Sequence, residues 1–170
     1  MKNQNQSKIH ILAIDPGFDR VGYAVGLLEN SKLTIKEYDL IQTNKKDTLF
    51  KRYQQIQNKL LQLVEQYKID ECSIESLFFF KNQKTALTVS EARGIIIGTL
   101  LKFNVTIHEY TPLQIKQALT GYGRADKKAI LKMVQLLTKL DLKNAMDDTV
   151  DALAILLTHQ QSRKLKNIYD

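Results

Sequence analysis

Four carboxylates stand where a folded chain can put them to chemical use. Asp15 follows directly on the apolar run Ile9 to Ile14 and precedes Pro16-Gly17, a turn signal. Glu75 closes the short run Cys72-Ser73-Ile74. Each is a charge at the tip of a hydrophobic segment, so the direction of the chain brings it close to the core. Each also has a bland reading, Asp15 as a turn former and Glu75 as an ordinary strand-end charge. Taken alone, neither reading outweighs the other.

The other two lie in Asp147-Asp148-Thr149-Val150-Asp151-Ala152-Leu153-Ala154, which opens a helical pattern. Asp148 and Asp151 are three apart, and that spacing puts both on one helix face. Capping and the helix dipole favour acidic residues in a first turn and account for one or two of these aspartates. Asp151, however, is set among Val150, Ala152, Leu153, Ile155 and Leu156, neighbours that mark a buried segment. An ionised aspartate there must be paired or bound to metal. Histidine is scarce (His10, His108, His159), with no two at ligand spacing, which argues against a zinc hydrolase. Oxygen ligands from three separate segments suit hard Mg2+, with Mn2+ able to substitute. Two such ions about 4 Å apart would activate a water and stabilise the leaving oxygen of a phosphodiester.

These groups need a frame to hold them. Ile9 to Ile14, Val21 to Leu28 and Lys32 to Gln42 read as three strands, the last two joined by a turn at Glu29-Asn30-Ser31. Tyr53, Ile56, Leu60, Leu63, Val64 and Tyr67 recur at helical spacing and predict a helix over Asp47 to Tyr67. A strand at Glu71 to Glu75, a helix at Thr85 to Lys102 and a strand at Val105 to Glu109 follow. Helices starting at Pro112, at Asp126 and at Asp147 complete the chain. Three antiparallel strands followed by strand–helix alternation give a mixed α/β sheet with helices on its faces. In such sheets, sites gather at the carboxyl ends of strands, where Asp15 and Glu75 fall.

Composition narrows the partners. A length of 170 residues fits one domain, and a net charge of +7 favours a polyanion. The single cysteine, Cys72, excludes an internal disulfide framework and fits a reducing compartment, so a cytoplasmic location is expected. No apolar stretch is long enough to span a membrane, and no apolar block follows the polar Lys2 to Ser7 to make a signal peptide. Carboxylates for metal and a basic surface for phosphate together describe a nuclease.

At these residues the sequence resembles the RuvC family of Holliday-junction resolvases. Ile14-Asp15-Pro16-Gly17 and Gly22-Tyr23-Ala24-Val25 resemble its opening strands. Ser73-Ile74-Glu75-Ser76-Leu77-Phe78, with Lys81-Asn82, is similar to its second carboxylate block. Ser90-Glu91-Ala92-Arg93-Gly94, Pro112 to Gln117, Gly121 to Lys127 and Asp148 to Ala154 follow in family order. The likeness is collinear from about Ile9 to His159. Asp-Pro-Gly alone is weak, but the ordered set is highly specific.

The resemblance implies an RNase H-like fold, with a mixed five-stranded sheet flanked by helices and occupying residues 9–160. A polar extension (1–8) precedes it, and a basic tail (161–170, with Arg163, Lys164 and Lys166) follows. It implies catalytic, metal-binding carboxylates at Asp15, Glu75, Asp148 and Asp151, holding two Mg2+. It places an aromatic residue that opens base pairs at Phe78, and basic residues near the site at Lys116 and Lys127. Lys81, Lys84 and Lys128 are further candidates for phosphate contact. The implied enzyme is a homodimer that cuts four-way junction DNA symmetrically in recombination and repair, with RuvA and RuvB as partners. Leu77-Phe78-Phe79-Phe80 is more aromatic than the family loop, and Lys127-Lys128 doubles a basic position. Three other readings compete. A nucleotide-binding ATPase of the actin and sugar-kinase type needs a second domain, for which the length leaves no room. A non-cleaving junction-binding protein would have no need of all four carboxylates. A nuclease acting on RNA stays open, because carboxylate chemistry does not choose the sugar.

Overall fold

A computed structural model describes residues 8–76 and 83–169, with backbone alone at 83–84 and 165–169. Its elements run β1 (Ile9–Asp15), β2 (Arg20–Glu29), β3 (Lys32–Gln42), α1 (Leu49–Tyr67), β4 (Glu71–Glu75) and α2 (Gln83–Leu101). Then come β5 (Thr106–Tyr110), α3 (Pro112–Thr120), α4 (Lys127–Thr138) and α5 (Asp147–Tyr169). The five strands form one sheet in the order β3-β2-β1-β4-β5. β1, β2 and β3 are antiparallel, and β4 and β5 join β1 in parallel. This is the mixed sheet expected from the chain pattern.

Local chemistry explains the boundaries. Asn30 and Ser31 both take positive φ (53° and 61°), which allows a two-residue turn whose twist matches the strands it joins. Thr111 and Gln114 close a capping box at the start of α3, with Pro112 in its first turn. Asp126 caps α4 by accepting from the Ala129 amide at 2.8 Å. The basic stretch after Gln160, expected as a tail, is instead helical through Tyr169. Arg163 is drawn in because it meets a half-buried acid on β4, Glu71.

Strand alternation divides the side chains between two layers. Leu12, Ile14, Val21, Tyr23, Cys72 and Ile74 face α1 and α2, where Ile56, Leu60, Leu63, Ile96 and Leu100 are fully buried. Ile11, Ala13 and Ala24 face the opposite layer of α3, α4 and α5. Each side of the sheet thus has its own core. Removing a side chain such as Leu153, fully buried on α5, should cost about 2–5 kcal/mol.

Three successive residues that β2 turns toward α5 are small, Gly22, Ala24 and Gly26, before Leu28. A Cβ on Gly22 would run into the main chain of Asp148, and one on Gly26 would press on Leu156 and Leu33. Glycine within a strand marks such a close backbone approach. This groove seats α5 directly on the sheet and fixes the height of its N-terminus.

Candidate active site

Asp15 is the last residue of β1, and Glu75 the last of β4. The two strands are parallel neighbours, with Ile14 level with Ile74, so both acids emerge at the same edge of the sheet. Alternation sets them on the face that carries Ile11 and Ala13, the α5 face. Asp15 pairs across β2 with Gly22, the residue on which the main chain of Asp148 rests. Asp148 and Asp151, in the first turns of α5, are therefore delivered to the same end of the sheet. The four carboxylates expected to act together are brought together, from three elements.

The turn between Asp15 and β2 is held from the other side of the sheet. Arg52 of α1 donates from Nε to the Thr43 hydroxyl (2.9 Å) and from Nη2 to the Phe18 carbonyl (3.1 Å). It also pairs with Asp19 and lies 4.8 Å over the Phe18 ring. Thr43 Oγ1 in turn donates to the Phe18 carbonyl at 2.8 Å. Asp15 thus stands on a turn with little freedom to drift.

The electrostatics are those of crowded acids. Burial holds the Asp15 carboxyl well above the usual carboxylate range, and the charges of Glu75, Asp151 and Asp148 push it further up, against Lys127. Burial, then Asp151, raises Glu75 to about 7, with Lys116 opposing. Asp151 is raised by burial as well. Asp148 is held differently: its Oδ2 lies 3.1 Å from Nε of Arg20 on β2. A cleft of about 160 Å³ opens beside the acids, lined by Glu75, Asp151, Lys116 and Lys127 with Pro112, Ile115 and Ile130.

Two of the expected basic residues therefore line the cleft beside the acids. Lys127 reaches across to Asp147, Nζ to Oδ2 2.8 Å, and this hydrogen bond raises the lysine and lowers the aspartate. Asp147 is thereby turned out to solvent with its partner. Lys128 lines a neighbouring hollow between α4 and α5 rather than the acid cleft. Lys84 is in the first turn of α2, where only the backbone is described, and Phe78 and Lys81 fall outside the described residues. The sequence reading missed Arg20 and Arg52. Arg20 has no signal in the chain alone, since its partner is far away in sequence. Gly22 did carry one, as a glycine inside an otherwise apolar strand.

Similarity to known proteins runs nearly the length of the chain. The family model described as crossover junction endodeoxyribonuclease RuvC matches residues 11–159. A crossover junction endodeoxyribonuclease RuvC from Petrotoga mobilis is 47% identical over 154 residues, 91% of this chain and 94% of that relative. The solved structure of Thermus thermophilus RuvC superposes with a TM-score of 0.82 at 27% identity, over 92% of this chain and 96% of that one. T. thermophilus RuvC in complex with a Holliday junction substrate gives 0.85 at 26% identity, over 93% and 96%.

Proposed function

Because the chain belongs to the RuvC family of crossover junction endodeoxyribonucleases, we propose that its cluster of four carboxylates is where it cuts Holliday junctions. It is a nuclease of recombination and repair, and the finer reading rests on one observation. Asp15, Glu75 and Asp151 are acids that burial and one another hold above the usual carboxylate range, at the end of a sheet beside two lysines. Such a group is costly to ionise unless a cation joins it.

An all-oxygen donor set from three elements fits Mg2+, with Mn2+ able to substitute, and suits two ions. Asp15, Glu75, Asp148 and Asp151 would hold them. Bound there, the ions would supply an activated water and charge stabilisation for the leaving oxygen. The chain's own residues set the geometry. Arg52 fixes the turn after Asp15, Gly22 fixes the height of α5, and Arg20 orients the Asp148 carboxylate through their 3.1 Å ion pair. Lys116 and Lys127 line the cleft where a phosphate would approach, suited to orient a strand without reading its bases.

Residues 9–160 form the nuclease domain in this reading, acting as a homodimer in the cytoplasm on four-way junction DNA, with RuvA and RuvB. Paired subunits would make the two cuts symmetric. Phe78 is assigned to stacking in the opened junction, a contact on the order of 1–3 kcal/mol per base. Lys81, Lys84 and Lys128 are assigned to phosphate contacts flanking it. Among the described residues no helix is long and apolar enough to cross a membrane.

A cleavage assay on a mobile four-way junction beside linear duplex, with and without Mg2+, tests the reading. Junction cleavage that requires Mg2+ and spares the duplex is expected. Equal cutting of both substrates, or full activity in EDTA, would overturn it.

A further inference from the structure

A second group of ionisable side chains lies on α5, two turns beyond the carboxylates. His159 is eight residues after Asp151, about 12 Å along the helix axis at 1.5 Å per residue. It is 1% exposed, and its Nε2 lies 2.7 Å from Oε2 of Glu71 on β4. His108, on β5, brings its own Nε2 to 3.7 Å from that same oxygen. The two imidazoles are 4.6 Å apart between ring centres. One donor atom from each of Glu71, His108 and His159 falls within 4.8 Å of the others.

We propose that Glu71, His108 and His159 form a second metal site, selective for Zn2+ over Mg2+, which pins α5 to β4 and β5. Three lines of geometry carry it. Ligands about 2.0–2.2 Å from a tetrahedral zinc stand roughly 3.3–3.6 Å from one another, and the separations of 2.7 and 3.7 Å from Glu71 Oε2 to the two imidazole nitrogens bracket that spacing. Nδ1 of His159 is held by the Tyr110 hydroxyl at 2.7 Å, the outer contact that fixes ring orientation and leaves Nε2 for a metal. His108, with its side chain 29% exposed, supplies an open side for entry and for a water as fourth ligand.

Imidazole donors suit zinc, whereas Mg2+ prefers oxygen and keeps its waters. The site therefore differs in chemistry from the carboxylate cluster at the N-terminus of the same helix. Arg163 sets its strength. The guanidinium pairs with Oε1 of Glu71, the oxygen turned away from the histidines. It leaves Oε2 for the ion while placing a positive charge beside it. Removing that charge should tighten zinc binding, an effect opposite to its expected effect on the metal-free protein.

The experiment is a zinc titration of the full chain, stripped with EDTA and then dialysed, against a chromophoric zinc chelator at pH 7.5. One zinc per chain is expected, retained in Asp15→Asn, weakened at least tenfold in His108→Ala and in Glu71→Gln, and tightened several-fold in Arg163→Gln. Thermal stability should rise with zinc in the wild type and not in His108→Ala. Binding unchanged in both His108→Ala and Glu71→Gln, or lost in Asp15→Asn, would move the ion elsewhere and overturn the site. No zinc uptake at tens of micromolar, or an Arg163→Gln protein that binds less tightly, would reduce the cluster to an ion network.

Discussion

Asp15 and Glu71 lie on the same face of the same sheet, on adjacent strands, and both look toward α5. Their surroundings push them in opposite directions. Asp15 is desolvated at the end of β1 and crowded by the charges of Glu75, Asp151 and Asp148, so its proton is held tightly. Burial would raise Glu71 too, but a hydrogen bond from His159 and the charge of Arg163 outweigh it and hold that carboxyl below its ordinary value. One region satisfies its acid with groups of the chain; the other gathers acids and leaves them short of cations. The first arrangement stabilises the fold. The second costs stability that a bound cation offsets, so in the metal-free chain the two acids load the fold in opposite senses.

The largest effect should come from removing the acid at the centre of the crowded region. Asp15→Asn should lower junction cleavage by about a thousandfold or more, because it deletes a ligand charge on which the hydrolytic metal depends. Junction affinity, measured by gel shift in Ca2+, should stay within a few-fold because the basic surface is intact. Full cleavage by this protein would defeat the site assignment.

Next comes a change that touches no ionisable group. Gly22→Val would drive a side chain into the Asp148 main chain and lift the start of α5. A displacement near 1 Å can cost about a hundredfold in rate, so cleavage should fall by that order while circular dichroism stays helical. An unimpaired variant would show that the height of α5 is not critical.

The contrast between the regions also has a sign in pH. Glu75, raised from an ordinary 4.5 to about 7, contributes stability that is fully present below about 4.5 and lost as pH climbs through about 7. Asp15 acts in the same direction. Glu71 is lowered, so its contribution is present above 4.5 and lost as pH falls through its folded value. In EDTA at pH 8, Glu75→Gln should therefore melt higher than the wild type, by on the order of 2 kcal/mol. Glu71→Gln should melt lower at pH 8, with the difference shrinking in acid. Both variants shifting the same way would erase the distinction. Mg2+ should raise the melting temperature of the wild type more than that of Glu75→Gln.

The smallest effect separates two adjacent lysines. Lys127 lines both the acid cleft and the hollow beside it, and Lys128 lines the hollow alone. Lys127→Ala should slow cleavage several-fold, while Lys128→Ala should change mainly the salt dependence of binding, by about 0.9 in log–log slope if it neutralises one phosphate. Equal effects on rate would remove the distinction.

Much of this was legible in the chain. The acid at the end of each apolar run, Asp15 and Glu75, is a local signal, and strand direction converts it to a shared edge. Asp151 stood out because a charge within Val150 to Leu157 demands a partner. What was not legible depends on contacts between distant segments. His108 and His159 have no ligand spacing along the chain, being 51 residues apart, and meet only because β5 and α5 cross the same face. Arg163 reads as one more charge in a basic tail until α5 continues through it and carries it to Glu71. Arg20 and Arg52 were invisible for the same reason. Periodicity reports which face a residue takes, and leaves open what the fold sets opposite it.

The placement of α5 has a consequence for when the chain becomes able to cut. Asp15 and Glu75 are present once β4 is made, whereas Asp148 and Asp151 come more than seventy residues later. During synthesis, a growing chain that stops short of Asp147 holds only half of the set, however well its sheet has formed. Docking of the last helix into the groove of Gly22, Ala24 and Gly26 is then the event that completes the acids. A nascent or truncated protein would bind DNA through its basic surface before it could break it.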